Sequence, residues 1–385
     1  MRDDNQKVAL GVVGLGSMGM AHCRQALDVE GIELRAVLDV DEEQAQKVGE
    51  QYGIPYFTDH EEMFDSGLVD AIIIATPHFY HADVAVAAFH NGVHVLCEKP
   101  LAVRASSARR MVEEAEKNDC KFAVMFQIRT EPIMRKARQI VENGELGRIR
   151  RTLLVLPEFR SQAYYDAGTW RATWAGEGGG PLLNQGPHMM DIFLMLGGLP
   201  SQVLGWTRTV MHDIEVEDEA EARLTYENGA SGYLYVSTCE PGPGFLLQIF
   251  GDKGKLRIMG EQMSFVQYDT PVEEFSKNSD SMWGSPKAER SPIELPEANS
   301  GQAEIMRNFA AAILHGEELL SPARAGLNQL ELSNAIMLSS WTDSPVSIPV
   351  DREKFDALLD ERIAKSSFEP GGESQTTRIT DPKLG

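Results

Sequence analysis

The sequence predicts a parallel α/β domain followed by an α+β domain with a large, mostly antiparallel sheet. Three observations predict it. Short β-branched runs alternate with helical patterns over residues 8–126. A Gly-rich turn joins the first of these runs to the first helix. After Gly147 the alternation gives way to successive strands punctuated by hairpin turns.

The elements follow in order. Val8 to Val13 is an apolar strand, and Ser17 to Val29 a helix. Glu33 to Val40 is a second strand, then Glu42 to Tyr52 a helix. Ala71 to Ala75 reads AIIIA, a fully buried strand, and His81 to His90 is an alanine-rich helix. Val93 to Cys97, Ser106 to Asn118 and Phe122 to Phe126 continue the strand–helix–strand alternation. Such continuous apolar strands belong to a sheet covered on both faces.

In the second part, strands are expected at Arg148 to Glu158, Gln202 to Val210, Ala220 to Tyr226, Ala230 to Ser237, Leu246 to Phe250 and Lys255 to Met259. Asn228-Gly229 marks one hairpin and FGDKGKLRI another. Residues 301–315 and 323–342 return to helical periodicity. The expected division is 1–127, 128–365 and a flexible polar tail at 366–385, with the C-terminal helix packing back on the first domain.

Charge excludes some partners. Asp plus Glu number 58 against 36 Lys plus Arg, a net charge of −22. Such a surface repels nucleic acid and anionic membranes. The four cysteines form no C-x-x-C pair and suit reduced thiols in the cytoplasm. The N-terminus has no signal-peptide pattern, and no apolar run approaches the roughly 20 residues of a membrane span.

The chemistry starts at Gly14-Leu15-Gly16-Ser17-Met18-Gly19, between the first strand and helix. Gly14 permits a tight turn, Gly16 lets a pyrophosphate approach the backbone, and Gly19 lets helix and strand pack closely. The phosphates then rest on the helix N-terminus, at Ser17 and Met18. Asp39 ends the next strand about 20 residues on, where a carboxylate binds adenosine ribose hydroxyls. That carboxylate repels a 2′-phosphate, and Val40-Asp41 offers no cation to receive one. NAD is therefore favoured over NADP.

Glu98-Lys99-Pro100 and the segment GGGPLLNQGPHMMD, Gly178 to Asp191, complete a pattern. With the Gly-rich turn, they resemble the glucose–fructose oxidoreductase/inositol dehydrogenase/rhizopine-catabolism (Gfo/Idh/MocA) family. The segment WRATWAGEGGGPLLNQGPHMMDI is most similar to members acting on glucosides and anhydrosugars. The resemblance implies a Rossmann domain, a sheet that covers the nicotinamide, and a homodimer or homotetramer formed through that sheet. It implies an enzyme that oxidises a ring secondary alcohol of a sugar, glycoside or inositol. Lys99 would hydrogen-bond the reacting oxygen beside the cofactor, and His188 would accept the proton. Pro100 accompanies an unusual turn, with a cis peptide as one form. Glu98 would hold the nicotinamide ribose. Many members carry Asp where this chain has Asn184, which takes no proton but still bonds a hydroxyl.

Further pocket candidates are positional. Thr76 and Pro77 follow AIIIA and should pass over the cofactor, with His78 and His81 nearby. Gln127 and Arg129 end their strand facing cofactor or substrate. Tyr164, Tyr165, Trp170, Arg171 and Trp174 precede the glycines, where aromatic planes suit sugar CH faces. HDIEVEDEAEA, from His212, is acidic, but strand alternation explains it and no metal is expected. A redox-neutral NAD-dependent glycoside hydrolase or lyase, and a non-catalytic dinucleotide sensor, are the alternatives; Lys99 and His188 speak against the sensor.

Overall fold

β-Branched runs become buried strands because both faces of their sheet are covered. In the computed structural model, which describes residues 6–167, 170–242 and 244–368, the first part runs β1 (Val8–Val13), α1 (Ser17–Ala26), β2 (Ile32–Leu38), α2 (Glu42–Tyr52), β3 (Tyr56–Phe57), α3 (His60–Asp65), β4 (Ala71–Ile74), α4 (His81–His90), β5 (His94–Cys97), α5 (Ala105–Lys117) and β6 (Phe122–Val124). These six strands form one parallel sheet in the order β3-β2-β1-β4-β5-β6. The order reverses between β1 and β4, and ligands bind at such a switch point, off the carboxyl ends of the strands.

The second part runs α6 (Pro132–Glu142), β7 (Ile149–Pro157), α7 (Gln162–Asp166), α8 (Pro187–Gly197), β8 (Gln202–Arg208), β9 (Glu219–Thr225), β10 (Ser231–Ser237), β11 (Leu246–Gly251), β12 (Gly254–Met259), β13 (Gln262–Tyr268), α9 (Val272–Asn278), β14 (Ala288–Arg290), α10 (Gln302–His315), α11 (Ala323–Thr342), β15 (Val346–Ser347) and α12 (Arg352–Ile363). Its nine strands follow the order β14-β13-β12-β11-β7-β10-β9-β8-β15. All neighbours are antiparallel except β7 and β10.

Strand register separates the two faces of this sheet. Ala222, Leu234, Leu154, Leu247 and Ile258 stand side by side and are buried. The next row sets Trp206, Glu221, Tyr235, Val155, Leu246 and Met259 on the opposite face, with Trp206 and Met259 exposed and the other four half-buried, in keeping with a period of two. Against the buried face lies α11, where Ser339 Oγ accepts from Gly205 N at 2.9 Å. The same helix reaches the first part, with Asn334 Oδ1 accepting from Ala105 N at 2.8 Å. Ile305, Met306 and Phe309 of α10 share a core cluster with Val8, Leu10 and Val12 of β1.

Several elements differ from the sequence expectation. β3 and α3 fall in a stretch with too few residues to show a period, although Asp59 caps α3 by accepting from Glu62 N at 3.1 Å. α6 starts at a proline, which suits a first helical turn. α1 ends three residues early, because the chain turns into Gly31 at φ +81° before β2. The tail expected to be flexible, 366–385, falls mainly on 369–385, outside the described residues. Its start is bonded: Ser366 Oγ and Ser367 N donate to Glu215 at 2.6 Å each. No described helix is long and apolar enough to cross a membrane.

Candidate active site

The Gly-rich turn has three different glycines. Gly14 adopts φ +89°, and a Cβ there would meet the Ala75 carbonyl carbon at 2.8 Å. Gly16 faces open space, with nothing within 4 Å of an added Cβ. Gly19 lies so near β1 that a Cβ would fall 1.8 Å from Gly14 O. α1 starts at Ser17 with no side chain capping its first amides, so those N–H groups and the positive helix end remain for an anion. Asp39 is fixed beside the turn, Oδ2 accepting from Leu15 N at 2.7 Å and Oδ1 from Asp41 N at 3.0 Å. An open glycine, free helix amides and an anchored carboxylate fit a dinucleotide's pyrophosphate and ribose.

Unpartnered buried polar atoms continue this line. Thr76 Oγ1 after β4, Gln127 Oε1 after β6 and His188 Nδ1 at the start of α8 have no hydrogen-bond partner among the described residues. Buried polar atoms are normally bonded, so these three suit a ligand bridging both parts. Pro77 is exposed beside them.

Glu98 is fixed from behind. His22 Nε2 of α1 donates to Glu98 Oε1 at 2.7 Å, and Lys99 N to Oε2 at 3.1 Å. Burial pushes the Glu98 carboxyl up, but the His22 bond and nearby charge outweigh it and hold the group below the usual range. The Lys99–Pro100 peptide is cis. Lys99 Nζ then donates to Asn184 O at 2.8 Å. Burial lowers the Lys99 pKa, against Glu98 and Glu177, which favour its charged form.

His188 keeps partial access to solvent, yet lies deep enough that burial, then the Lys99 charge, lowers its pKa to about 3. Its ring meets Phe126 edge-on at 5.8 Å. The segment before it has no slack. A Cβ on Gly178 would meet Val103 at 2.3 Å, on Gly179 Met337 at 2.4 Å, and on Gly180 the Glu217 carbonyl oxygen at 1.8 Å.

The preceding loop builds a polar aromatic wall. The Arg171 guanidinium sits 4.9 Å from the Tyr164 ring centre and 5.6 Å from that of Trp170. Gln185 Nε2 donates to Tyr164 OH at 3.2 Å, and Asn184 Nδ2 points at the same oxygen from 3.4 Å. Tyr165 instead bonds Thr238 at 2.7 Å, and Trp174 packs edge-on against Trp341.

Other candidates spend their polar groups on the protein itself. Arg129 forms a two-pronged pair with Asp191, at 2.6 and 2.7 Å, and also donates to Leu320 O at 3.1 Å. His81 is buried with its ring nitrogens against Pro100 O at 3.0 Å and Thr76 O at 2.9 Å, bracing the two loops from behind. His78 Nδ1 lies 3.2 Å from Glu177 O.

Three buried titratable groups around the cleft escaped sequence reading: His22, Glu177 and Glu217. Both glutamates are buried, and burial raises each to about 7. A charged residue inside a Gly-rich apolar stretch was the one available signal for Glu177. His212, Asp218 and Cys239 also converge, with ligand atoms all within 4.8 Å. Both ring nitrogens of His212 are engaged, by Asp218 at 3.0 Å and by Arg160 O at 2.9 Å, so the trio reads as a hydrogen-bonded corner.

Comparison with known proteins agrees with this architecture. An oxidoreductase-family model with an NAD-binding Rossmann fold matches residues 8–126, and the GFO/IDH/MocA C-terminal domain matches 134–257. Inositol 2-dehydrogenase of Rubrobacter xylanophilus is 38% identical over 149 residues, which is 38% of this chain and 43% of that protein. The match thus spans less than half of that relative. The WlbA dehydrogenase of Bordetella pertussis, solved with NADH and UDP-GlcNAcA, has a TM-score of 0.74 at 26% identity, covering 90% of this chain and 100% of that one. Levoglucosan dehydrogenase, solved with NADH, shares the fold with a TM-score of 0.75 at 21% identity, covering 90% and 100%. With an NAD-binding Rossmann domain followed by the family's C-terminal domain, the chain belongs to the Gfo/Idh/MocA oxidoreductase family.

Proposed function

We propose that the protein is an NAD-dependent dehydrogenase that oxidises a ring secondary alcohol of a sugar, glycoside or inositol to a ketone. One observation carries the reading: a half-buried lysine, and an imidazole whose pKa burial and that lysine's charge lower and whose Nδ1 has no partner, lie where the Gly-rich turn and the second sheet's loops converge. Lys99 spends one ammonium hydrogen on Asn184 O, leaving two for the reacting oxygen. Hydrogen bonding from the cation stabilises a developing alkoxide. His188 is uncharged at neutral pH and takes up the proton at a ring nitrogen. Gly14, Gly16, Ser17, Met18, Asp39, Thr76, Gln127 and Glu98 would hold NAD, which would supply the acceptor for the hydride.

Asn184, Tyr164, Trp170 and Arg171 would line the substrate side, with aromatic planes for CH faces and polar heads for hydroxyls. The inositol named for one relative and the UDP-sugar acid bound to another support a polyhydroxylated ring. Trp206 and Met259, exposed on the open face of the nine-stranded sheet, support self-association through that face.

The test is reduced-nicotinamide absorbance over a panel of inositols, glucose, levoglucosan and glucosides, with NAD and NADP in parallel. Turnover with NAD that disappears in Lys99→Ala supports the reading. Glycoside cleavage by protein carrying bound NAD, without net NADH, would replace it with the redox-neutral hydrolase.

A further inference from the structure

Glu177 is the buried acid for which the dehydrogenase reading has no task. It is 1% exposed. Its Oε2 accepts from Ala172 N at 2.7 Å. Its Oε1 takes a short hydrogen bond from Asn184 Nδ2. The other Nδ2 hydrogen of Asn184 is directed at Tyr164 OH, 3.4 Å away. Both amide hydrogens are therefore spent. A flipped amide would set Oδ1 against the carboxylate, so the orientation follows from the network. Asn184 Oδ1 has no partner among the described residues, and the residue is half-buried at the cleft. The backbone oxygen of this same Asn184 holds Lys99 Nζ.

We propose that Glu177 is a positioning residue for this site: it locks the Asn184 amide with Oδ1 presented to a substrate hydroxyl, and it supplies the buried negative charge that faces Lys99. The inference rests on the dehydrogenase reading. It gives Asn184 a fixed polarity, so the position demands a hydrogen-bond donor from the substrate. It also gives the Lys99 cation a second counter-charge besides Glu98.

The charged and titratable groups around Glu177 are defined. Arg171 shares its loop, Tyr164 and Tyr165 face it from α7, Lys99 from the end of β5, Glu217 from the approach to β9, and His78, ahead of α4, meets its backbone oxygen at 3.2 Å. Burial raises Glu177 to about 7, against the Ala172 and Asn184 bonds and the charges of Arg171 and Lys99. Its negative charge therefore grows in as pH rises through neutrality.

The test compares wild type, Glu177→Gln and Glu177→Asp, each with NAD bound. Lysines are carried as ¹³C-dimethyl derivatives, and the Lys99 resonance is assigned by its loss in Lys99→Arg. Lys99 titrates at lower pH in Glu177→Gln than in wild type, and Glu177→Asp moves it back; an unmoved Lys99 overturns the proposal. With a turned-over substrate, kcat/KM of wild type exceeds that of Glu177→Gln by about tenfold at about pH 8.5 and converges on it near pH 5.5. The Asp variant recovers the rise. A loss equal at every pH marks Glu177 as mere structural support and also overturns the proposal. If wild type turns over no sugar or polyol, the dehydrogenase reading fails, and the Lys99 titration still decides Glu177.

Discussion

The Lys99 ammonium donates to the Asn184 carbonyl oxygen at 2.8 Å, tying the end of β5 to the segment that enters α8. The first sheet thus delivers the cation, and the second part holds it in place. Lys99→Ala is expected to lower kcat/KM by about 10²–10⁴. His188→Ala should cost about 10² or more, with the double variant little worse than Lys99→Ala alone, because the two groups act on one proton. Steady-state kinetics on the three variants checks this; additive losses would show independent roles.

His22 and Glu98 form a sealed pair, 0% and 8% exposed. Removing His22 leaves a buried carboxylate short of its partner, at a cost of about 3–5 kcal/mol. The folded Glu98 pKa is depressed. Its contribution is thus present above the unfolded carboxyl value and fades as pH falls through the folded one. His22→Ala should lose more stability at pH 7 than at pH 3, read by chemical denaturation.

Glu217 runs the other way. Burial raises its folded pKa to about 7, above the ordinary carboxyl value of 4.5. A raised carboxyl stabilises fully below the unfolded value, and that contribution is lost as pH rises through about 7. Its Oε2 is buried without a partner. Glu217→Gln should therefore raise Tm at pH 8.5 by several degrees and do little at pH 5. The expected gain is on the order of 3 kcal/mol, the cost of holding that buried carboxyl charged.

Asp39 holds the Leu15 amide as well as a ribose position. Asp39→Ala should raise KM for NAD by about tenfold or more and narrow the preference over NADP. Parallel titrations with both cofactors measure it. An unchanged ratio would show that Asp39 shapes only the turn.

Arg129 is expected to act on stability alone. Both prongs of its guanidinium are taken by the buried Asp191. Arg129→Ala should cost about 3–5 kcal/mol and leave KM for substrate within about twofold of wild type.

What the sequence made legible was local. The glycines, Asp39 and the Glu98-Lys99-Pro100 run each state their chemistry within a few residues of a predictable strand end. His22 gave no such sign, because its partner Glu98 is 76 residues away and the helix pattern alone reads it as another core position. Glu177 and Glu217 depend on folding in the same way. Arg129 was misleading for the converse reason. A strand end beside a cofactor cleft is a good address for a ligand contact, but Asp191, 62 residues on, takes the guanidinium first. β3 and β15, at two residues each, are too short to show alternation and exist by pairing with a neighbour already formed.

The packing of Gly178, Gly179 and Gly180 sets the spacing at the seam between the two parts. Val103 closes against the first glycine from the Rossmann side, while Met337 and Glu217 close against the other two from the opposite side. A strip with no spare volume transmits displacement rather than absorbing it. Wide hinge-bending at this seam would have to unpack all three contacts together. Any side chain larger than hydrogen at these three positions would wedge the two parts apart, so the spacing of the seam is written into the glycines themselves.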